Sequence, residues 1–476
     1  MILGIVRTKI LAILLGTSGV GLTGMYQSVV DLMRSLTGLG LSFSSVKDIA
    51  EANKGNDENH IAETVTMLKR WLWMTGLLGT LLTLAFSPLL SRYIFDDNQH
   101  VLDICLLSIS VLAGTLTAGQ LALLQGLRKI TWMAKASILG SLFSLLFVLP
   151  IYWYYGIRGI VPALLVISFV GLFFSWWYSR KQLILKVSQS WKETWKRGGG
   201  MVKLGLYTVA SGLIGSMALF LLRSFILKNG GTESVGLFQA VWSISMVYLG
   251  AVLTSMAADY YPRLCGIAND SKQMVKFANE QTRFVLLVST PLILFLLLLS
   301  APVLDILYSN RFGDASTLLR WQLFGTFLKV TVWPIGYILL AKNKGLLFMF
   351  VEFVWFFIYL VSTVVAWPAY GIDAAGIGFV IAYVVYVPLV FYLIKPLCSF
   401  QFESKNWQLF VGFFSIMSVA FLLSIKIEGV WYYSTVGLLF LIGTLWALFE
   451  LNKIIPLSDW KNKFKNYFPK TKDDSF

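Results

Sequence analysis

Apolar stretches of about 20 residues recur from end to end of this chain, and that length constrains the fold more than any other feature. A helix rising 1.5 Å per residue needs about 20 apolar residues to cross roughly 30 Å of hydrocarbon. Spans are predicted near residues 2–15, 22–46, 71–91, 101–126, 131–154 and 159–180. A second series falls at 203–227, 234–261, 284–306, 315–341, 346–370 and 374–396, and a last pair at 407–425 and 430–450. The expectation is an all-α polytopic membrane protein with 14 transmembrane helices, the first of them short. Composition agrees, because 57% hydrophobic and 13% charged residues leave too little polar surface for a water-soluble globule.

Lysine and arginine set the orientation. With the N-terminus inside, 28 of the 39 basic residues fall in connections or the tail on the cytoplasmic side. The outer connections hold Arg92, Arg158, Lys228, Arg311, Arg320 and Lys426. Both termini are therefore expected in the cytoplasm. The formal charge of +15 is a topology signal, and the basic run 180–203 and the tail read as attraction to anionic lipid headgroups, not to nucleic acid.

Five bases remain inside spans: Arg7, Lys9, Arg34, Arg223 and Lys329. If each faced lipid at the bilayer centre, the cost would be on the order of 15 kcal/mol. Arg223 sits in the run ALFLLRSFIL, residues 218–227, where the bland alternative is a side chain that snorkels to the interface.

An internal repeat offers these bases somewhere else to face. Val20-Gly21-Leu22 recurs as Val235-Gly236-Leu237, and Tyr155-Gly156-Ile157 as Tyr370-Gly371-Ile372. Ser87-Pro88-Leu89-Leu90 has its counterpart in Ala301-Pro302-Val303-Leu304, one residue out of step with the other two matches. The expected organisation is a six-helix lobe over 1–180, a basic cytoplasmic linker over 181–202 and a parallel second lobe over 203–396. Two further helices occupy 397–452, and a basic tail 453–476. A cleft between two such lobes would gather the embedded bases, and a basic cleft selects an anion, phosphate above all.

Acidic residues inside spans are few: Asp31, Asp103, Asp259 and Glu352. Asp31 lies one turn from Arg34 and reads as its charge partner or as a coupling group; Glu352 is left with the same two roles. Cys105, Cys265 and Cys398 are dispersed, and His60 and His100 fall in polar connections, so neither a metal site, a disulfide framework nor a cofactor is signalled. Trp71, Trp73, Trp153, Trp176 and Trp177 read as interface anchors. Trp321 and Trp333 are deeper, with core packing set against sugar stacking.

KILAILLGTSGVGL (9–22), the LTGLGL and VKDIAE of 36–51, and VGLFQAVWSISMVYL (235–249) resemble Wzx-type O-antigen translocases. The stretch SNRFGDASTLLRWQLFGTFLKVTVWPIGYILLAKNK (309–344) is similar to the corresponding part of enterobacterial common antigen flippases, in the polysaccharide branch of the MOP exporter superfamily. The resemblance covers roughly residues 5–396. It implies transport, not catalysis: movement of an undecaprenyl-pyrophosphate-linked glycan across a bacterial inner membrane, with membrane lipids, a polysaccharide polymerase and a chain-length regulator as partners. By position Lys9, Arg223, Lys329, Lys342 and Glu352 match family residues, and Arg34 has no assigned equivalent. Only eight residues precede Lys9, fewer than in the family, so either translation begins upstream of Met1 or the first helix is anchored as a stub. The helix pair after residue 400 resembles the fourteen-span lipid II flippase instead, which keeps lipid II as an alternative cargo. A MATE-like antiporter of small molecules and a membrane glycan polymerase are the remaining alternatives. The polymerase would need paired carboxylates on a sizeable outer loop, and the connection near 306–315 offers Asp314 and Arg311 only.

Overall fold

The computed structural model describes residues 2–54, 58–182, 187, 190–427 and 429–454. The expected basic tail, beyond Ile454, lies outside them, as do six positions of the 181–202 linker. In lipid every backbone N–H and C=O must be satisfied within its own segment, and helices do this without partners. The described residues accordingly form helices and no strand.

In chain order these are α1 (Ile2–Thr37), α2 (Leu41–Lys54), α3 (Glu58–Phe95), α4 (Val101–Gly126), α5 (Ile130–Tyr155), α6 (Ile160–Arg180), α7 (Trp191–Trp242) and α8 (Leu249–Gly266). They continue as α9 (Ser271–Leu298), α10 (Ser300–Leu307), α11 (Ser316–Ala341), α12 (Gly345–Tyr370), α13 (Ala374–Cys398), α14 (Ser404–Lys426) and α15 (Gly429–Ile454). A π-helical turn, Ser243–Tyr248, joins α7 to α8.

Among the described residues ten stretches are long and apolar enough to cross a membrane, and two of them, Ile130–Arg180 and Gly345–Cys398, each hold two helices. The expected connection at 47–70 is itself helical, since α2 and α3 carry the chain through most of it. His60 accordingly stands in the first turn of α3, not in a loop. The first expected span and most of the second are arms of one element, α1, divided at Gly16; the second stops at Thr37, short of the expected 46, and Leu41 onward belongs to α2. The linker is helical from Trp191 onward, because α7 begins there. Polar residues past the apolar run keep helical hydrogen bonds as readily in water as the apolar ones do in lipid.

The repeat is visible in the element bounds. Counterparts α4 and α11 are both 26 residues long, as are α5 and α12. Gly16 and Gly231 break α1 and α7 with φ of 68° and 73°, and Gly156 and Gly371 open the 3-10 turns after α5 and α12 with φ of 55° and 53°. Glycine alone enters this left-handed region without steric cost, so the same turn stands at the same point of each copy.

Contacts divide the chain into two compact units. One comprises Met1–Ser243, Ala301–Ser316 and Met349–Gly378; the other comprises Ile244–Ser300, Thr317–Phe348 and Phe379–Phe476. Within the first, α2, α3 and α4 meet around Leu41, Ile49, Leu68 and Leu72. A β-carbon on Gly119 would lie 1.9 Å from Leu72, the small-residue packing by which membrane helices approach. Within the second, α14 and α15 pack on α9: Asn406 donates to the Asn279 side chain at 2.9 Å, and Tyr432 to the Leu297 carbonyl at 2.5 Å.

Candidate functional site

The second arm of α1 and the first arm of α7, both in the first unit, run antiparallel. Arg223 Nη1 donates to Ser28 Oγ, and seven residues away on each helix, in opposite directions, Ser35 and Ser216 share a hydrogen bond of 2.8 Å. Past the Gly231 break, the second arm of α7 is held close to the same arm of α1 where glycines meet backbone. A β-carbon on Gly21 would lie 2.0 Å from the Thr232 carbonyl oxygen, and one on Gly236 would lie 2.0 Å from that of Thr17. These two contacts are counterparts in the repeat. Beside them Thr17 donates to Glu233 at 3.1 Å.

Arg223 is buried, with 7% of its surface exposed. Its one bonded partner among the described residues is a hydroxyl whose own proton is committed, since Ser28 donates to the Gly24 carbonyl at 2.8 Å. The Nε–H of Arg223 has no acceptor among the described residues. A buried donor left unpaired costs about 1–3 kcal/mol and more on a charged group, so the guanidinium is built to gain from an anionic oxygen. Snorkelling does not describe this side chain, which is enclosed by α1 and α7. Gln239, whose amide covers Gly24, also keeps a buried carbonyl oxygen without a donor.

Further along α1, Arg34 lies flat over Gly114 of α4, to whose carbonyl it donates at 3.2 Å. Asp31 pairs with Arg34 at 3.9 Å and accepts from Gln27 at 3.0 Å, so the expected Asp31–Arg34 pair forms, at the long end for an ion pair. Asp31 and Tyr359 of α12 are also near enough to act electrostatically on Arg223. Two guanidinium groups and one carboxylate leave this part of the unit net positive.

Among the other sequence candidates, the first arm of α1 carries Arg7 and Lys9. Lys9 donates to the Ile306 carbonyl at 2.5 Å, and Arg7 lies beside the buried Tyr152. Glu352 is partly buried on α12, two turns before Tyr359. Lys329 belongs to the second unit, against Met246 Sδ at 3.2 Å. Lys342, in the same unit, donates to the Ala268 carbonyl at 2.6 Å.

With this geometry in place, residues 10–317 match the family described as polysaccharide biosynthesis protein. The chain belongs to that family. It is 25% identical over 397 residues to the lipid III flippases of Escherichia coli (strain K12) and Shigella flexneri, covering 81% of this chain and 92% of theirs. Among solved structures it resembles the lipid II flippase MurJ in an inward closed conformation, with a TM-score of 0.73 and 15% identity over 95% of this chain and 97% of that one. It also resembles an inward-facing multidrug resistance MATE transporter of the MOP superfamily, with a TM-score of 0.69 and 17% identity over 83% and 94%. At these identities the structural likeness is one of fold, and the fold is that of a multi-pass membrane protein.

Several residues of the site carry no mark in the sequence. Ser28, Ser35 and Ser216 are isolated hydroxyls in apolar runs. His100, expected in a plain connection, joins a cluster: Tyr26 donates to Asp103 at 2.5 Å, and the His100 ring lies 2.8 Å from the same hydroxyl. Trp321 and Trp333 take the packing role, edge-on to Phe421 at 4.5 Å and beside Tyr337 at 5.0 Å.

Proposed function

We propose that this protein is a flippase for an undecaprenyl-pyrophosphate-linked oligosaccharide, the repeat unit of an O-antigen or related surface polysaccharide. Arg223 carries this reading. A buried guanidinium with an open donor, in the same unit as Arg34, which lies six residues further along α1 than Ser28, suits the diphosphate of a lipid-linked sugar and repels an organic cation. The lipid III flippases, 25% identical over 397 residues, support the same class of cargo.

The cycle we propose is alternating access. The lobes over 1–180 and 203–396 rock so that the cleft takes the headgroup from the cytoplasmic leaflet of the inner membrane and releases it to the periplasmic leaflet, while the polyprenyl tail stays in lipid. Both termini are then cytoplasmic. Arg34 and Arg223 hold the diphosphate, Lys9, Lys329 and Arg7 are further contacts for the anionic glycan lipid, and Asp31 and Glu352 are the coupling or charge-pair groups. A polymerase and a chain-length regulator would receive the product. A lipid II-type cargo is the second reading, favoured by α14 and α15 beyond the twelve-span core.

Complementation of a flippase-deficient strain tests this, with membrane levels of each variant measured by blot. Arg223→Ala is expected to abolish export at normal levels, and Arg223→Lys, which keeps the charge but loses the fork, to retain part of it. Full export by Arg223→Ala at normal levels would overturn the assignment.

A further inference from the structure

A cavity of about 1080 Å³ opens between α3, α4 and α6 of the first unit. Its walls are mostly apolar, with Leu72, Leu116, Phe169 and Phe173 among them beside the polar Gln120 and Ser179, and Lys69 and Arg180 line it at one end. Along α6 it runs from Phe169 to Arg180, roughly 16 Å at the helical rise, which is close to the depth of one hydrocarbon leaflet. A second apolar cavity of about 580 Å³ lies on the other side of the same Phe169 and Phe173, against Phe143 and Phe147 of α5. Two apolar channels thus flank one aromatic ridge. Lys69 and Arg180 are both exposed and pair with no carboxylate among the described residues; the Arg180 guanidinium lies 5.2 Å over the Trp176 ring, itself a lining residue.

The second copy of the repeat shows what such a groove holds. In the register set by Pro88 and Pro302, Arg283 of α9 stands where Lys69 stands in α3, and in that set by Gly156 and Gly371, Phe391 of α13 is the counterpart of Trp176 in α6. There the place is filled by the chain itself. Arg283 binds the Glu403 carboxylate at 2.6 Å, Phe391 packs on Phe400 and Phe402, and the apolar helix α14 follows, laying Phe410 on Phe327 of α11. An anionic group on a basic side chain, continued by an apolar body along the helices, is the chemistry of an anionic lipid. In the first copy the cation is present and no carboxylate among the described residues answers it.

We propose that this groove is a binding site for an anionic diacyl phospholipid. Lys69 and Arg180 hold the phosphate, one acyl chain fills the channel between α3, α4 and α6, and the other crosses the Phe169–Phe173 ridge into the channel beside α5. The lipid takes the place that Glu403 and α14 take in the second copy. A single-chain polyprenyl phosphate would leave one channel empty, which is why the two-chain ligand is chosen.

The full-length protein, purified in detergent, is incubated with phosphatidylglycerol or phosphatidylcholine of the same acyl chains, and retained lipid is counted by native mass spectrometry. Wild type is expected to retain phosphatidylglycerol at least about tenfold better than phosphatidylcholine. The Lys69→Gln/Arg180→Gln variant should lose that preference, and Leu172→Trp, which fills the apolar channel, should lower retention of both. Equal retention of the two lipids by wild type, or an undiminished preference in the double variant, would overturn the proposal. Displacement of phosphatidylglycerol by equimolar undecaprenyl phosphate would assign the groove to a single isoprenoid chain and overturn it equally.

Discussion

Alanine at Gly236 and alanine at Gly212, two positions of the same helix α7, should act on stability with opposite sign. In an open helical position alanine is favoured over glycine by about 0.8–1 kcal/mol. Gly212 is such a position, because a β-carbon there would meet nothing within 4 Å. At Gly236 the same β-carbon would lie 2.0 Å from the Thr17 carbonyl oxygen. Even a C–H···O contact keeps about 3.3–3.6 Å between the heavy atoms, so the arms of α1 and α7 would have to part by roughly 1.3 Å or more. The obstructing atom belongs to the backbone, and no rotamer change relieves it. Overpacking of this kind costs about 1–3 kcal/mol, which outweighs the helix-propensity gain at the upper end of its range and at least cancels it at the lower. The separation also strains the Ser28–Arg223 and Ser35–Ser216 bonds, which join the same arm of α1 to the first arm of α7. Equilibrium unfolding of the purified protein in mixed dodecyl sulfate micelles measures both variants. Gly212→Ala should be more stable than wild type, and Gly236→Ala less stable by up to about 2 kcal/mol. A Gly236→Ala protein as stable as Gly212→Ala would refute the close crossing.

Two further substitutions probe the arginines separately. Ser28→Ala removes the hydroxyl that Arg223 donates to, and by the same unfolding assay it should cost about 1.5–3 kcal/mol, the worth of a hydrogen bond to a charged group; unchanged stability would mean that the guanidinium is satisfied elsewhere. Gly114→Leu would drive a side chain into the Arg34 guanidinium, whose Cζ lies 3.0 Å from the added β-carbon, and should reduce glycan export at normal membrane levels, with unaltered export showing that Arg34 does not touch the cargo.

Much of this fold was legible because the bilayer imposes a length. The predicted spans 101–126 and 315–341 fall on α4 and α11 almost end to end, since polar residues and turns bound those runs tightly. Boundaries failed where helices continue beyond the lipid, as in α3 and α7, since hydropathy marks the exit from hydrocarbon and not the end of hydrogen bonding. The repeat was visible through glycines that both copies need: Gly21 and Gly236 allow the arms to touch, and Gly156 and Gly371 make the same left-handed turn. Arg223 and the Asp31–Arg34 pair stood out for the cost of placing charge among apolar neighbours. Ser28 and Gln239 did not, because a lone hydroxyl or amide in an apolar helix costs little by itself, and its role is set by a partner nearly 200 residues away. The groove at Lys69 was hidden for a related reason: the lysine reads as one more cytoplasmic charge until α6 is placed beside it.

The most direct test of flipping through Arg223 uses proteoliposomes carrying an undecaprenyl-pyrophosphate-linked oligosaccharide with a fluorophore on its sugar, with a membrane-impermeant reductant added outside. Wild-type protein is expected to bring the inner-leaflet half of the label within reach of the reductant on a timescale of minutes, and Arg223→Ala vesicles with equal protein content are expected to match protein-free ones. Translocation by Arg223→Ala at the wild-type rate would contradict an anion site at Arg223, and no translocation by wild type above protein-free vesicles, under any imposed ion gradient, would contradict flipping itself.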